Sequence, residues 1–138
     1  NIYRLVLDEH LMTHMELATL FFVRSADKYL KEEGIIGFVM PRAIFSADQH
    51  DAFRGGKFTG VKLGFEKLID CKGVEPLFYV PTCVVIARKG KEAVFPVKGL
   101  VVEGRLSDYT HKILPLSEAL NNLSMERVKF YYNRVGAR

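Results

Sequence analysis

With 138 residues the chain is the size of one domain, long enough to bury roughly two-thirds of the surface that its unfolded form exposes. Its composition, 49% hydrophobic and 26% charged, argues against a disordered tail, and no run approaches the ~18 apolar residues of a membrane span. A net charge of +4 is compatible with a nucleic-acid partner without requiring one. Two cysteines, Cys71 and Cys83, are too few for a disulfide framework and not spaced for zinc, which implies free thiols in a reducing cytoplasm.

The segment 1–7 (NIYRLVL) is apolar, is closed by no turn signal and begins with Asn rather than Met, so it reads as cut from a longer polypeptide. Thr13-His14-Met15-Glu16 fits a capping box, in which a hydroxyl and a carboxylate satisfy each other's amides at a helix start. The helix is expected to run to Glu33, with Leu17, Leu20, Phe21, Ala26 and Leu30 at helical spacing and Gly34 ending it in a left-handed cap. Ile35–Met40 has almost no polar residue, so it predicts a strand covered on both faces at the centre of an α/β sheet. Ligands gather at the carboxyl ends of such strands, which makes Pro41-Arg42-Ala43 the first place to look for function.

Ser46–Gln49 is a second capping-box candidate, opening a helix to Arg54 that stops at Gly55-Gly56. Residues 59–70 alternate in part and predict a half-covered strand. Val74–Pro81 holds two prolines, which exclude a hydrogen-bond ladder through it. Thr82–Ala87 is a second wholly apolar strand, and Ala93–Val97 with Leu100–Glu103 predicts a hairpin turning at Lys98-Gly99. Residues 117–134 predict one or two helices, capped by Ser117 and Ser124. The order implies an α/β fold: part of a parallel sheet with an inserted antiparallel strand, flanking helices and an added hairpin. One domain is expected, with 1–106 as its sheet portion and 107–138 as a helical tail.

Three stretches then resemble a family. Glu16-Leu17-Ala18-Thr19-Leu20-Phe21-Phe22, Leu30-Lys31-Glu32-Glu33-Gly34 and Gly37-Phe38-Val39-Met40-Pro41 are similar to the second half of the S-adenosylmethionine-dependent adenine-N6 methyltransferases of restriction-modification systems. Phe78–Ala87 resembles their aromatic loop and the antiparallel strand after it. The Gly-rich cofactor loop and the Asn/Asp-Pro-Pro-Tyr/Phe tetrapeptide of that family are absent. The resemblance therefore implies a Rossmann-like half-sheet, the carboxyl-terminal part of a DNA methyltransferase, inactive alone and binding S-adenosylmethionine weakly or not at all. Its implied partners are double-stranded DNA and the missing amino-terminal half.

By that resemblance Phe78, with Tyr79 as substitute, stacks on a base taken out of the duplex, while Glu16, Leu17, Phe21 and Pro41 line the cofactor pocket. A flipped base costs a few kcal/mol, and stacking on a ring returns about 1–3 kcal/mol. The competing readings are plain ones: Phe78 as a core plug under a Pro-rich loop, Glu16 as a capping residue and Pro41 as a strand stop. Arg42, Arg54, Lys57 and Lys62 are candidates for DNA phosphates or members of a solvated face. Arg127, Lys129, Arg134 and Arg138, interleaved with Tyr131 and Tyr132, form a basic-aromatic tail that suits DNA or a docking helix. His10 and His14 have zinc-compatible spacing but no further ligands nearby, so no metal is expected. The alternative to an enzyme fragment is a non-catalytic nucleic-acid-binding or oligomerisation module, with pairing of two copies along an open sheet edge.

Overall fold

The computed structural model describes residues 17–58 and 60–133. The segment 1–7, the Thr13–Glu16 capping box, His10, His14, Arg134 and Arg138 lie outside them. Helix α1 (Leu17–Tyr29) buries Thr19, Leu20, Phe22, Val23 and Ala26. Leu17 and Phe21 face out, 48% and 60% exposed. The expected apolar face was thus partly the wrong one: the helix carries apolar residues on two sides, and spacing alone does not say which side meets the sheet.

The helix stops at Tyr29, short of the expected Glu33. Its last carbonyls, those of Ala26, Asp27 and Leu30, accept hydrogen bonds from Lys89 Nζ at 3.0, 3.1 and 2.7 Å. A distant lysine therefore caps the negative end of the helix. The left-handed residue is Glu33 (φ 63°) rather than Gly34. Gly34 answers to space instead, since a Cβ there would lie 2.7 Å from Leu30 Cγ and 2.8 Å from the Lys31 carbonyl oxygen.

Strand β1 (Ile35–Pro41) is followed by two 3-10 turns, Arg42–Phe45 and Asp48–His50, and the short helix α2 (Asp51–Arg54). The expected helix from Ser46 is therefore broken into turns, with no side-chain cap at its starts, although it ends at Gly55-Gly56 as expected. Then come β2 (Leu63–Glu75), β3 (Thr82–Lys89), β4 (Val97–Arg105), helix α3 (Leu116–Asn121) and β5 (Ser124–Phe130). The molecule is α/β, with a five-stranded mixed sheet in the order β1-β3-β2-β4-β5. Strand β3 runs antiparallel to both β1 and β2, β4 runs parallel to β2, and β5 returns antiparallel to β4.

Strand β1 thus occupies an edge among the described residues, not the centre, and Ile35 (52%) and Val39 (57%) are exposed. Only its Ile36 and Met40 side is buried, under α1 and its neighbours. The other apolar segment, β3, is an interior rung, beside β2, and its Cys83, Val85 and Ala87 are fully buried. An unbroken apolar run reports low polarity, not position in the sheet. The covered face is closed by rings: Phe22 meets Phe38 edge-on at 5.3 Å and Phe53 at 5.6 Å, and Phe53 meets Phe65 at 5.5 Å.

The predicted hairpin is instead one straight strand, β4, running through Lys98-Gly99. A Cβ at Gly99 would collide with the Leu68 carbonyl oxygen and the Phe130 ring, so this glycine serves close packing and not a turn. The predicted helical tail is also corrected. Only Leu116–Asn121 is helical, and Ser124–Phe130 pairs along β4 from Val97↔Phe130 to Glu103↔Ser124. Its alternation was masked because nearly every residue of this edge strand is exposed. Among the described residues no helix is long and apolar enough to cross a membrane.

Candidate functional site

Strands β1, β2 and β4 point the same way, so their carboxyl ends share one end of the sheet. The register sets Pro41 beside Thr82 and Asp70 beside Cys83, which brings the exit of β1 against the loop 76–81 that joins β2 to β3. The Arg42 amide donates to the Pro81 carbonyl at 2.8 Å and fastens the two. Arg42 Nε donates to both Asp70 oxygens at 2.9 and 3.0 Å, and the Lys72 amide donates to Asp70 Oδ1 at 3.0 Å.

Asp70 is only 7% exposed. Burial alone would raise its pKa, but the Arg42 and Lys72 bonds outweigh it and hold the carboxyl below the ordinary aspartate value. The same hydrogen bond raises the Arg42 pKa. Asp70 was not singled out from the sequence: β2 also carries Glu66, Lys67, Lys72 and Glu75, so charge alone does not mark the buried carboxylate. Its effect is to aim Arg42. The terminal guanidinium nitrogens carry no hydrogen bond among the described residues, and the group lies 6.0 Å over the Phe45 ring. A guanidinium fixed through Nε leaves its outer donors for an anion.

Beside it the loop 76–81 presents apolar groups to solvent: Leu77 42%, Phe78 60% and Val80 56% exposed, with Tyr79 fully exposed. Phe78 is therefore not a plug in the core. The loop lines a recess of about 400 Å³ with Cys71, Lys72, Val74 and Thr82. Four adjacent exposed apolar side chains form a patch of the kind that marks an interaction site. Burial pushes the Cys83 thiol up to about 12, so it stays an inert thiol beneath the site.

Leu17 belongs to the same end of the molecule, and Phe21 lies one helical turn further in. The carboxyl end of α1 is tied to Lys89 near the start of β1, and Phe22 stacks on Phe38 midway along. A 13-residue helix and a seven-residue strand are each about 20 Å long. The amino end of α1 therefore lies level with Pro41. Glu16, one residue earlier, is outside the described residues.

The four basic candidates are not brought together. Arg42 stands at the carboxyl end, whereas Lys62 directly precedes β2 and Leu63 pairs with Lys89 at the opposite end. Lys57 and Lys62 share a recess there with Glu92, which pairs with Lys62 at 3.4 Å. Arg54 is turned inward: it donates to the Ile44 and Ala47 carbonyls at 2.9 and 2.7 Å and pairs with Asp51 at 3.6 Å. It braces the 3-10 turns after Arg42, a role that charge alone does not reveal. Among the described residues no group of three His, Cys, Asp or Glu side chains is placed to hold a metal ion. Compared with family models and with curated protein sequences, the chain matches none.

Proposed function

We propose that these residues form the carboxyl-terminal part of a methyltransferase that moves a methyl group from S-adenosylmethionine to the exocyclic amine of adenine in DNA. The observation that carries this reading is the placement of Phe78 and Tyr79. Two unburied rings stand on the loop at the carboxyl end of the sheet, beside an oriented Arg42. A base outside its stack needs such a ring, and its phosphate needs such a cation. The order β1-β3-β2, with β3 antiparallel between two co-directional strands, agrees with the inserted antiparallel strand that the resemblance implies.

Exposed Leu17, level with Pro41, and Phe21, one helical turn further along, supply an apolar wall for the cofactor's adenine on this reading. The Gly-rich cradle and the Pro-Pro tetrapeptide, absent from this sequence, belong to polypeptide upstream, and DNA is the substrate. The edge of β1, open among the described residues and with Ile35 and Val39 exposed, is where that upstream half would join. The cell compartment on this reading is the cytoplasm.

The test is transfer of labelled methyl to an adenine-containing duplex by this chain joined to the segment encoded before it. Phe78→Ala is expected to lower kcat/KM by about 5–150-fold, the equivalent of one lost stacking contact of about 1–3 kcal/mol. The chain alone is expected to give no calorimetric signal with S-adenosylmethionine. Tight binding by it, or an undiminished rate in Phe78→Ala and Tyr79→Ala alike, would sink the assignment.

A second reading is favoured by the β1 edge. Among the described residues this apolar edge is unpaired, and such an edge is a template for another strand, so two copies would pair along it. Sedimentation equilibrium should then show a dimer that Val39→Lys abolishes; a strict monomer at high micromolar concentration rules this out.

A further inference from the structure

The sheet face turned away from α1 carries a feature that the site above does not use. Lys98 on β4 stands directly opposite Lys129 on β5, and Leu100 stands opposite Arg127. Lys67 on β2 joins them around an open groove of about 900 Å³, with Gly99 and Leu100 on its lining. Lys67, Lys98, Arg127 and Lys129 are all exposed, and none makes an ion pair or side-chain hydrogen bond among the described residues. The acidic neighbour in the lining, Glu66, is already taken by Arg88 at 2.6 Å and Lys91 at 3.7 Å. Like charges directly opposite each other on paired strands are destabilising. Packing therefore does not account for this cluster.

We propose that this groove binds the phosphate backbone of double-stranded DNA, at a surface separate from the Arg42–Phe78 end. Arg127 and Lys129 lie about 7 Å apart along β5, about twice the ~3.4 Å of duplex axis that each phosphate of one strand occupies. Lys98 and Lys67 extend the patch sideways across neighbouring strands, so it meets a surface rather than a single file of charges. The floor is Gly99 and half-buried Leu100, with Tyr131 at the rim, so it holds no row of rings on which a single strand would stack. Nor does a large apolar side chain project from among the four cations, as insertion into a lipid surface requires. The contact is to backbone and therefore indifferent to sequence. It does not depend on the methyl-transfer reading.

The test is fluorescence anisotropy of the full chain with a labelled mixed-sequence duplex over a salt series. Log affinity should fall linearly with log salt, and the variant Lys67→Gln/Lys98→Gln/Arg127→Gln/Lys129→Gln should flatten that slope by about 3.6 and weaken binding at low salt by at least about tenfold. Lys98→Glu alone separates the role from folding: it should raise the melting temperature, by placing an opposite charge across from Lys129, while weakening DNA binding. Phe78→Ala should leave the salt slope as it is, so failure of the methyl-transfer reading and failure of this one are distinguishable. An unchanged slope in the four-residue variant overturns the proposal. So does binding to phosphatidylserine-containing vesicles that exceeds duplex binding and disappears in the same variant, which would make the partner a membrane.

Discussion

Replacing Phe22 with alanine is expected to destabilise the fold by about 3–5 kcal/mol, whereas Phe21→Ala, one position earlier, should change it by less than about 0.5 kcal/mol. Phe22 has no exposed surface and its ring touches both Phe38 of β1 and Phe53 of α2. Its loss removes apolar burial, two edge-on ring contacts and the seam between three elements, and leaves a cavity that the packed strands cannot collapse into. Phe21 is 60% exposed and anchors none of this. Urea denaturation measures the pair directly, with the midpoint moving and the slope constant. Equal losses at the two positions would mean that α1 lies on the sheet by its other side. The contrast also bears on function, since an exposed Phe21 is available to a ligand at no cost to the core.

Arg42→Ala should destabilise the protein by about 2–3 kcal/mol, between the 0–1 of an exposed ion pair and the 3–5 of a broken buried one. The value is intermediate because the side chains are 33% and 11% exposed. What is lost is less the attraction than the partner of a carboxylate that stays behind, buried. The pH dependence separates the two. In the intact protein Asp70 is held below its ordinary value, so its contribution is complete above about pH 4 and is lost as the pH falls further, through the folded-state value. In Arg42→Ala, burial acts with less opposition and the Asp70 pKa rises. Acid then neutralises the stranded charge, and the gap between the two proteins should narrow below about pH 5. Adding Asp70→Asn to Arg42→Ala should recover part of the loss at neutral pH. A gap that stays constant from pH 7 to 3, measured by denaturation, would show that Arg42 acts through something other than Asp70. Because the pair also orients the Arg42 fork beside Phe78, the same variant removes the site's positioned cation.

Much of the local architecture is written in residue order. A helix from Leu17 and an apolar strand ending at Pro41 follow from spacing and proline, whereas the turn between them falls at Glu32-Glu33 and not at the glycine. The loop from Pro76 to Pro81 follows from two missing amide donors, although Val74 and Glu75, expected in the ladder-free stretch, pair with β4; the apolar strand after it follows from composition. Exposure of Phe78 was one of two open alternatives at that level. Lys98-Gly99 misled because glycine serves both turns and crowded crossings, and only the nearness of Leu68 and Phe130 distinguishes them.

The residues alone thus specify some element ends, such as the strand stop at Pro41 and the break at Gly55-Gly56, because φ restriction and lost donors act within a few positions of their cause. Tertiary structure decides which side of α1 is inner, that β3 rather than β1 is an interior rung, and that residues 124–130 form a strand. It also decides that Arg42 belongs with Asp70 while Lys62 stands at the other end. Each of these depends on a partner dozens of positions away. Hydrophobicity and charge have magnitude in the sequence but acquire a direction only when chain segments meet.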